Sequence, residues 1–364
     1  MGIAVLTVLI VSSIGAALAA VLVLADKVIA NYGECTITIN ADRELTVDGG
    51  CTLLEALVSE KIFIPSACGG KATCGYCKVT VLDGAGPLLP TEEPFLSPQE
   101  QQENMRLSCQ VKVKNDILIR IPEELFNVKE FTCTVVRITQ LTHDIREFRF
   151  RLNDPDAISF IPGQYVQLLS PAYEKSSEEV YRAYSISSDP AEPGVLELII
   201  RLVPGGICTT YYFDYVNEGD EIKFNGPYGE FRLSDTDAPM IMIAGGSGMA
   251  PIKCLLHQMQ NEGVTRKAHY FFGANKVKEL FMLDTMKEFE ASLHDFTFVP
   301  VVAQPETAWN GDTGLVTDAV ARHCSDLSTS EAYLCGSPGM IDACITVLTG
   351  AGMPEEKIYY DKFS

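Results

Sequence analysis

Stretches of different hydrophobic period follow one another along the chain. Residues 3–25 form an uninterrupted run of 23 uncharged residues, mostly Val, Leu, Ile and Ala. As a helix this run would extend roughly 35 Å, enough to cross the hydrocarbon of a bilayer. A cleaved signal peptide is the competing reading, because Ala17-Leu18-Ala19 resembles a cleavage site. No Lys or Arg precedes the run, however, and a signal peptide needs a basic start. The expectation is therefore a single-pass anchor spanning 1–28. Lys27 follows the run and nothing basic precedes it, so the positive-inside rule puts the C-terminal bulk in the cytoplasm.

Apolar and polar residues then alternate through ECTITINADRELTVD (34–48), and Gly49-Gly50 ends the run, which predicts an antiparallel strand pair. CTLLEALVS (51–59) changes to helical spacing, with Thr52 as N-cap and Pro65 barring continuation. Residues 29–127 thus read as a small β-rich domain with one crossing helix. Over 128–236 short β-branched runs (FTCTVVRIT, IREFRFRL, QYVQLLS, LELIIRLV, DEIKFNGPYGEFRL) lie between Gly and Pro turns, which predicts a closed antiparallel barrel. Over 237–364 apolar runs (MIMIA, AHYFFGA, FTFVPVV, EAYLCG) alternate with helical stretches such as 251–260, the pattern of a parallel α/β sheet. The expected fold class is an α+β and α/β multidomain chain.

At 364 residues and 47% hydrophobic content there is material for a buried core in each of two or three domains. The net charge of −20, with Lys and Arg not gathered into a patch, opposes binding to a phosphate backbone and sets nucleic acid aside. The 12 cysteines lack the spacing of a small secreted disulfide scaffold. Eight of them (Cys35, Cys51, Cys133, Cys208, Cys254, Cys324, Cys335, Cys344) are scattered and read as reduced thiols, mostly small core residues.

The other four are not scattered. SACGGKATCGYCKV places Cys68, Cys74 and Cys77 within ten residues, and Cys109 follows in MRLSCQV. A [2Fe-2S] cluster needs four thiolates, and a glycine-rich loop lets backbone N–H groups approach its sulfides. Gly69, Gly70 and Gly75 meet that demand. Five residues separate the first two ligands, one more than in the plant-type pattern, so the loop must accommodate the extra residue. Zinc usually takes two comparable ligand pairs, and this three-plus-one distribution fits it poorly.

Arg182-Ala183-Tyr184-Ser185 opens the strand RAYSISS. A flavin needs a cation for its pyrophosphate, a flat face beside its ring system and a hydroxyl near the hydride-accepting nitrogen; Arg, Tyr and Ser supply these three. An exposed cation and a packed ring on a barrel strand are the plainer reading. Gly205-Gly206-Ile207-Cys208-Thr209-Thr210 reads as a tight loop entering a helix, where free N–H groups and a hydroxyl favour phosphate; an ordinary helix cap would look the same. At 243–252, IAGGSGMAPI ends an apolar strand and begins a helix, allowing a dinucleotide to lie against the backbone. Cys335, in LCGSPGM, closes another buried strand, either beside a nicotinamide or as apolar filler.

With the cluster loop, RAYS, GGICTT, GGSGMAP and CGSPGM in this order, the chain resembles the ferredoxin reductase family carrying an N-terminal plant-type ferredoxin domain. Within it the chain is similar to the family of F subunits of sodium-translocating NADH:quinone oxidoreductases. PTEEPFLS, ENMRLSCQV, GPYGEF, AWNGDTGLV and the terminal YYDKF extend the likeness over nearly the whole chain. The resemblance implies a β-grasp [2Fe-2S] domain, an FAD-binding barrel and an NADH-binding sheet. It implies cluster ligation by Cys68, Cys74, Cys77 and Cys109. FAD contacts would come from Arg182, Tyr184, Ser185, Gly206 and Thr209, and Ala183, Ile199, Arg201, Ile207, Cys208, Ala250, Gly336 and Met340 would also line the cofactor sites. The NADH pocket would be formed by Gly245, Gly246, Gly248, Met249 and Pro251 with Cys335, and Phe363 would cover the flavin until nicotinamide displaces it. The segments between Pro171 and Arg182 and before Pro204 are shorter here than is typical of that family, so loops that would meet partner subunits are trimmed. Lys276 and Lys278 follow YFFGAN, where basic side chains would favour a 2′-phosphate, although the resemblance favours NADH.

The implied reaction is hydride transfer from NADH to FAD, with Ser185 and Cys335 lining the transfer site, followed by single-electron steps to the cluster and on to a redox subunit of a quinone reductase in the inner membrane. Two rivals use the same modules. One is the reductase component of an oxygenase, which would not need residues 3–25. The other is a membrane-tethered electron carrier whose nucleotide pocket no longer turns over.

Overall fold

The computed structural model describes residues 10, 12–19, 32–122, 125–126 and 128–363. The chain divides into two compact units, Met1–Ser66 with Gly70–Asn127, and Ala67–Gly69 with Val128–Ser364. The expected membrane span at 3–25 lies largely outside the described residues. Within it Ile10 and residues 12–19 are helical and exposed. The continuous piece extends only about 12 Å, and among the described residues no helix is long and apolar enough to cross a membrane.

The first unit is a mixed five-stranded sheet and a short helix. Strands β1 (Glu34–Ile39), β2 (Arg43–Asp48), β3 (Lys78–Asp83), β4 (Met105–Leu107) and β5 (Ile117–Arg120) lie in the order β2-β1-β5-β3-β4. The parallel pair β1/β5 is central, with Ile37 opposite Ile117 and Ile39 opposite Ile119. Helix α1 (Leu53–Ser59) starts at a reciprocal capping box, in which Thr52 accepts from Glu55 N and Glu55 accepts from Thr52 N. Leu53, Ala56 and Leu57 of α1 share one core with Ile37, Ile39, Val79 and Ile119 of the sheet. A second short helix, α2 (Pro98–Gln102), precedes β4.

The second unit begins with strands β6 (Lys129–Gln140), β7 (Ile145–Asp154), β8 (Tyr165–Ser170), β9 (Val180–Ser185), β10 (Val195–Arg201) and β11 (Glu221–Tyr228), in the order β10-β7-β6-β11-β8-β9. The bridge between Ile186 and Leu198 joins the two outer strands and closes the expected barrel. Phe131, Phe148, Phe150 and Phe224 fill its interior, together with Tyr212 from helix α3 (Ile207–Asp214).

A parallel sheet follows: β12 (Met240–Gly245), β13 (Ala268–Ala274), β14 (Phe296–Val302), β15 (Asp312–Thr313), β16 (Glu331–Gly336) and β17 (Ile358–Lys362), in the order β15-β14-β13-β12-β16-β17. Successive residues of MIMIA go to opposite faces. Met240, Met242 and Ala244 pack in one core with residues of α4 (Met249–Glu262) and α5 (Leu283–Ser292). Ile241 and Ile243 pack in another with residues of α6 (Val316–His323) and α7 (Pro338–Gly350). Both faces are covered, so the strand has no polar side, and its sequence runs apolar without alternation.

Candidate active site

The order of the parallel strands reverses between β12 and β16, and at such a switch point a crevice opens beyond the carboxyl ends of the strands. A cavity of about 510 Å³ lies there. Gly245, Gly246, Gly273, Ser337 and Met340 form its sheet side, while Asp144, Ile145 and Arg201 close it from the barrel. A 3₁₀ turn, Gly246–Gly248, leads directly into α4, and neither its N-cap Gly245 nor Ser337, the N-cap of α7, makes a side-chain cap. Free backbone N–H groups and the positive ends of two helices therefore lie at one crevice, which suits a pyrophosphate. At Gly248 a Cβ would stand 2.2 Å from the Cys335 carbonyl oxygen, so only glycine lets the α4 turn approach β16 this closely.

Of the residues expected at the cofactor sites, Gly245, Gly246, Met340 and Arg201 line the cavity. Met249, Ala250 and Cys335 are buried behind its wall. Burial holds the Cys335 thiol well above its ordinary value, with the Asp361 carboxylate adding to the shift, so it stays protonated. Arg201 is held by Asp144, with Nε donating to Oδ2 at 2.7 Å. Lys276 and Lys278 are exposed and do not line the cavity, whereas Glu279 does, and its Oε2 accepts from Asn275 N at 3.0 Å.

On the barrel, RAYS occupies β9. The Ser185 hydroxyl donates to Asp361 Oδ2 at 3.3 Å. Burial pushes the Asp361 carboxyl up to about 6, against the lowering effect of that hydrogen bond. The pairing was not foreseen from sequence. Its only trace in the sequence is a lone acid in the strand IYYDK near the C-terminus. The Phe363 backbone is tied to the same strand ends, its N–H donating to Gly336 O at 2.9 Å. Tyr184 keeps a half-buried ring, and burial, then the neighbouring Cys208 thiol, raise its hydroxyl well above the usual range. Helix α3 starts at Gly206 without a side-chain cap, which leaves its first N–H groups for an anion. Thr209 is turned back on the loop, accepting from Val203 N at 3.1 Å.

In the first unit Cys77 and Cys109 are 1% and 4% exposed. Hydrogen bonding to Cys109, followed by burial, drives the Cys77 thiol far above its ordinary value. Two buried thiols in mutual contact suit thiolate chemistry only where a cation sits against them. Ser108 Oγ is buried without a well-formed hydrogen bond, yet its hydroxyl lowers Cys77, and Gln110 Nε2 donates to Cys109 Sγ at 3.7 Å. Both groups are placed to donate to ligand sulfur. Gly75, at φ +70°, turns the loop between Cys74 and Cys77. Cys68 is buried and Cys74 half-buried. Among the described residues no three His, Cys, Asp or Glu side chains converge on a single metal ion. A [2Fe-2S] cluster does not need such a trio, because its four ligands are divided between two irons, and the Cys77/Cys109 contact has the form of one such pair.

Comparison with known proteins agrees module by module. Residues 37–114 match the 2Fe-2S iron-sulfur cluster binding domain family, 132–233 the oxidoreductase FAD-binding domain and 242–345 the oxidoreductase NAD-binding domain. These three modules define an iron–sulfur flavoprotein of the ferredoxin-reductase type, using [2Fe-2S], FAD and NADH. A cytochrome P450 reductase from Amycolatopsis superposes with TM-score 0.72 at 28% identity, over 90% of this chain and 98% of that one. A ferredoxin reductase of carbazole 1,9a-dioxygenase shares the fold at TM-score 0.69 and 24% identity, over 91% and 98%. The F subunit of the Na(+)-translocating NADH-quinone reductase of Neisseria meningitidis is 34% identical over 95% of this chain and 96% of its own length. Its counterpart in Pseudomonas paraeruginosa is 35% identical over 95% of each. The chain belongs to the family of Na(+)-translocating NADH-quinone reductase F subunits.

Proposed function

We propose that this chain is the electron-input subunit of an inner-membrane NADH:quinone reductase, anchored through residues 3–25 with its domains, bounded near 29–127, 128–236 and 237–364, in the cytoplasm. It oxidises NADH and delivers electrons singly to a redox partner in the membrane. FAD supplies the conversion between a two-electron hydride donor and a one-electron [2Fe-2S] acceptor. The observation that carries this reading is the crevice at the switch point, with two uncapped helix N-termini and glycine walls facing Arg201. Gly245, Gly246 and Met340 hold the dinucleotide, and Gly248, Met249, Ala250, Pro251 and Gly336 shape the wall behind it. Arg182, Ala183, Tyr184, Ser185, Ile199, Gly206, Ile207, Cys208 and Thr209 orient the flavin. Cys335 backs the transfer site and Phe363 shields it from water. Cys68, Cys74, Cys77 and Cys109 hold the iron. Stopped-flow mixing with NADH tests the order: flavin absorbance bleaches first and cluster absorbance second. Cluster bleaching in protein stripped of FAD would overturn it.

Ser185 Oγ and Asp361 Oδ2 form a proton path from the transfer site. Burial holds the Asp361 carboxyl up at about 6, above its ordinary 3.8. Its contribution to stability is therefore complete below about pH 4 and is lost as pH rises through about 6. The carboxylate able to accept a proton exists above that point. NADH turnover is expected to fall as pH drops through 6. Asp361→Asn should lower turnover by about 10²-fold and erase the inflection, as a pH–rate profile will show.

Glu279 supports the choice of NADH, since a carboxylate at the cavity accepts a ribose hydroxyl and repels a 2′-phosphate. Glu279→Gln is expected to raise kcat/KM for NADPH by about tenfold, a difference of about 1.4 kcal/mol. An unchanged NADPH rate would remove Glu279 from cofactor selection.

The likeness to a cytochrome P450 reductase over 90% of the chain favours a second reading, a stand-alone reductase serving an oxygenase. Recovery of the intact native chain in the soluble fraction would support it over the membrane complex.

A further inference from the structure

Helix α4 presents Lys253, His257 and Asn261 to the barrel at four-residue spacing, which puts them on one face. Lys253 Nζ donates to Glu147 Oε1 at 3.1 Å and to Glu197 Oε2 at 2.7 Å, and all three residues are 6% exposed. Further along, Asn261 Nδ2 donates to Asp189 Oδ1 at 2.7 Å and His257 Nδ1 lies 3.6 Å from Asp189 Oδ2. Arg149 braces Glu197 at 2.5 Å, and Arg137 reaches Glu147 at 3.5 Å. Burial alone would draw the proton off Lys253, but Glu147 and Glu197 outweigh it and the net shift is upward, so the ammonium is kept.

A buried ion cluster of this kind is poor evidence for a role in stability alone. Apolar contacts already join the barrel to the sheet layer: Cys254 of α4 packs in the barrel core, while Ile145 and Ile199 of the barrel pack in the core beneath β12. The position of the cluster is more telling. Glu147 stands opposite Ile199 in the β7/β10 ladder, and two residues on, Ile145 stands opposite Arg201. Ile145 and Arg201 form the barrel wall of the cavity, and Gly245 and Gly246, just ahead of α4, form the opposite wall. Two residues of strand span about 7 Å, and five residues of helix from Gly248 to Lys253 about 7.5 Å. The clamp therefore grips both walls one step behind the crevice.

We propose that Lys253 is a positioning residue which, by holding Glu147 and Glu197 against α4, sets the spacing of the two walls between which the dinucleotide is gripped. The proposal rests on reading the cavity as the dinucleotide cleft. Lys253 does not line the cavity and acts only through the elements it joins.

The test uses the full chain with its cofactors bound. Lys253→Met is expected to retain FAD and iron, to lower kcat/KM for NADH by about 10–100-fold, as small misplacements do, and to weaken ADP-ribose binding in calorimetry. Lys253→Met strands the Glu147 and Glu197 carboxylates and should also lower the unfolding midpoint; adding Glu147→Gln and Glu197→Gln removes those charges, with Arg149 keeping Glu192, so the midpoint should return while the kinetic and ADP-ribose defects remain. Recovery of all three together would mean that Lys253 only balances charge, and the proposal would fall. A Lys253→Met rate within twofold of the parent would sink it as well. Gly246→Val, which fills the cavity itself, tests the underlying reading separately: if ADP-ribose still binds that variant normally, the cleft assignment fails and not merely the clamp.

Discussion

Replacing Cys77 by serine is expected to stop electron flow beyond the flavin while leaving reduction of the flavin by NADH unchanged. Cys77 is buried against Cys109, and the pair has the contact and burial of two thiols sharing one iron. A serine hydroxyl is a harder and far less acidic ligand than a thiol, so the site would lose a quarter of its thiolates and, with them, the cluster. The backbone has little reason to move, because the Ser108 N–H bond to Cys77 O at 2.8 Å involves no side chain. NADH-driven reduction of a one-electron acceptor that takes its electrons from the cluster should fall by on the order of 10³-fold or more, at least about 4 kcal/mol of barrier. Flavin bleaching in a single turnover should keep its parent rate. Iron analysis and the cluster's visible absorption report the first half of the prediction and stopped-flow absorbance the second. Retention of iron with normal turnover would remove Cys77 from the ligand set and undo the pairing inferred from its contact with Cys109.

The features legible in the sequence were those written in neighbouring residues. The N-cap at Thr52 could be anticipated, and Glu55, which completes the capping box, stands only three residues further on. MIMIA could be read as a doubly covered parallel strand, because burial on both faces removes alternation. The Gly245–Gly248 turn was visible because close approach to β16 tolerates no side chain. The partners that complete the site were not visible, since topology alone brings them together. Ser185 meets Asp361 across 176 residues, and Lys253 meets Glu147 across 106. The barrel and the sheet were each predictable from periodicity, but how the side chains of one complete the crevice of the other has no periodic signature. Glu279 has no such signal either: Lys276 and Lys278 precede it in the sequence, and only the fold shows that they are exposed and off the cavity while the acid lines it.

The same contrast governs the last expected result, a loss of about 3–5 kcal/mol from the first unit on Glu92→Ala. Glu92 and Arg106 belong to two separate segments, PTEEPFLS and ENMRLSCQV, with nothing in the sequence to couple them. In the fold they form a buried pair, 0% and 6% exposed, in which Arg106 Nη2 donates to Glu92 Oε2 at 2.6 Å and Nε to Oε1 at 3.0 Å. Glu92 also accepts from the backbone N–H groups of Leu107 and Leu89, and Arg106 donates to the carbonyls of Gly86 and Pro87. Truncating Glu92 strands a buried guanidinium and two backbone donors together, which is far more damaging than removing a surface pair. The damage falls close to the proposed iron ligands, because Leu107 leads through Ser108 to Cys109, and β4 pairs with β3 just beyond Cys77, Lys78 opposite Leu107. Cluster absorbance should therefore be lost at a markedly lower urea concentration than in the parent, while flavin fluorescence, reporting the other unit, should keep its midpoint. Removing both partners, Glu92→Met with Arg106→Leu, should recover only part of the loss, because the Leu89 and Leu107 N–H groups still lack an acceptor and the Gly86 and Pro87 carbonyls now lose their donor. Full recovery would show that the pair serves only to neutralise itself, and an unshifted cluster transition in Glu92→Ala would show that it does not brace the ligand strands at all.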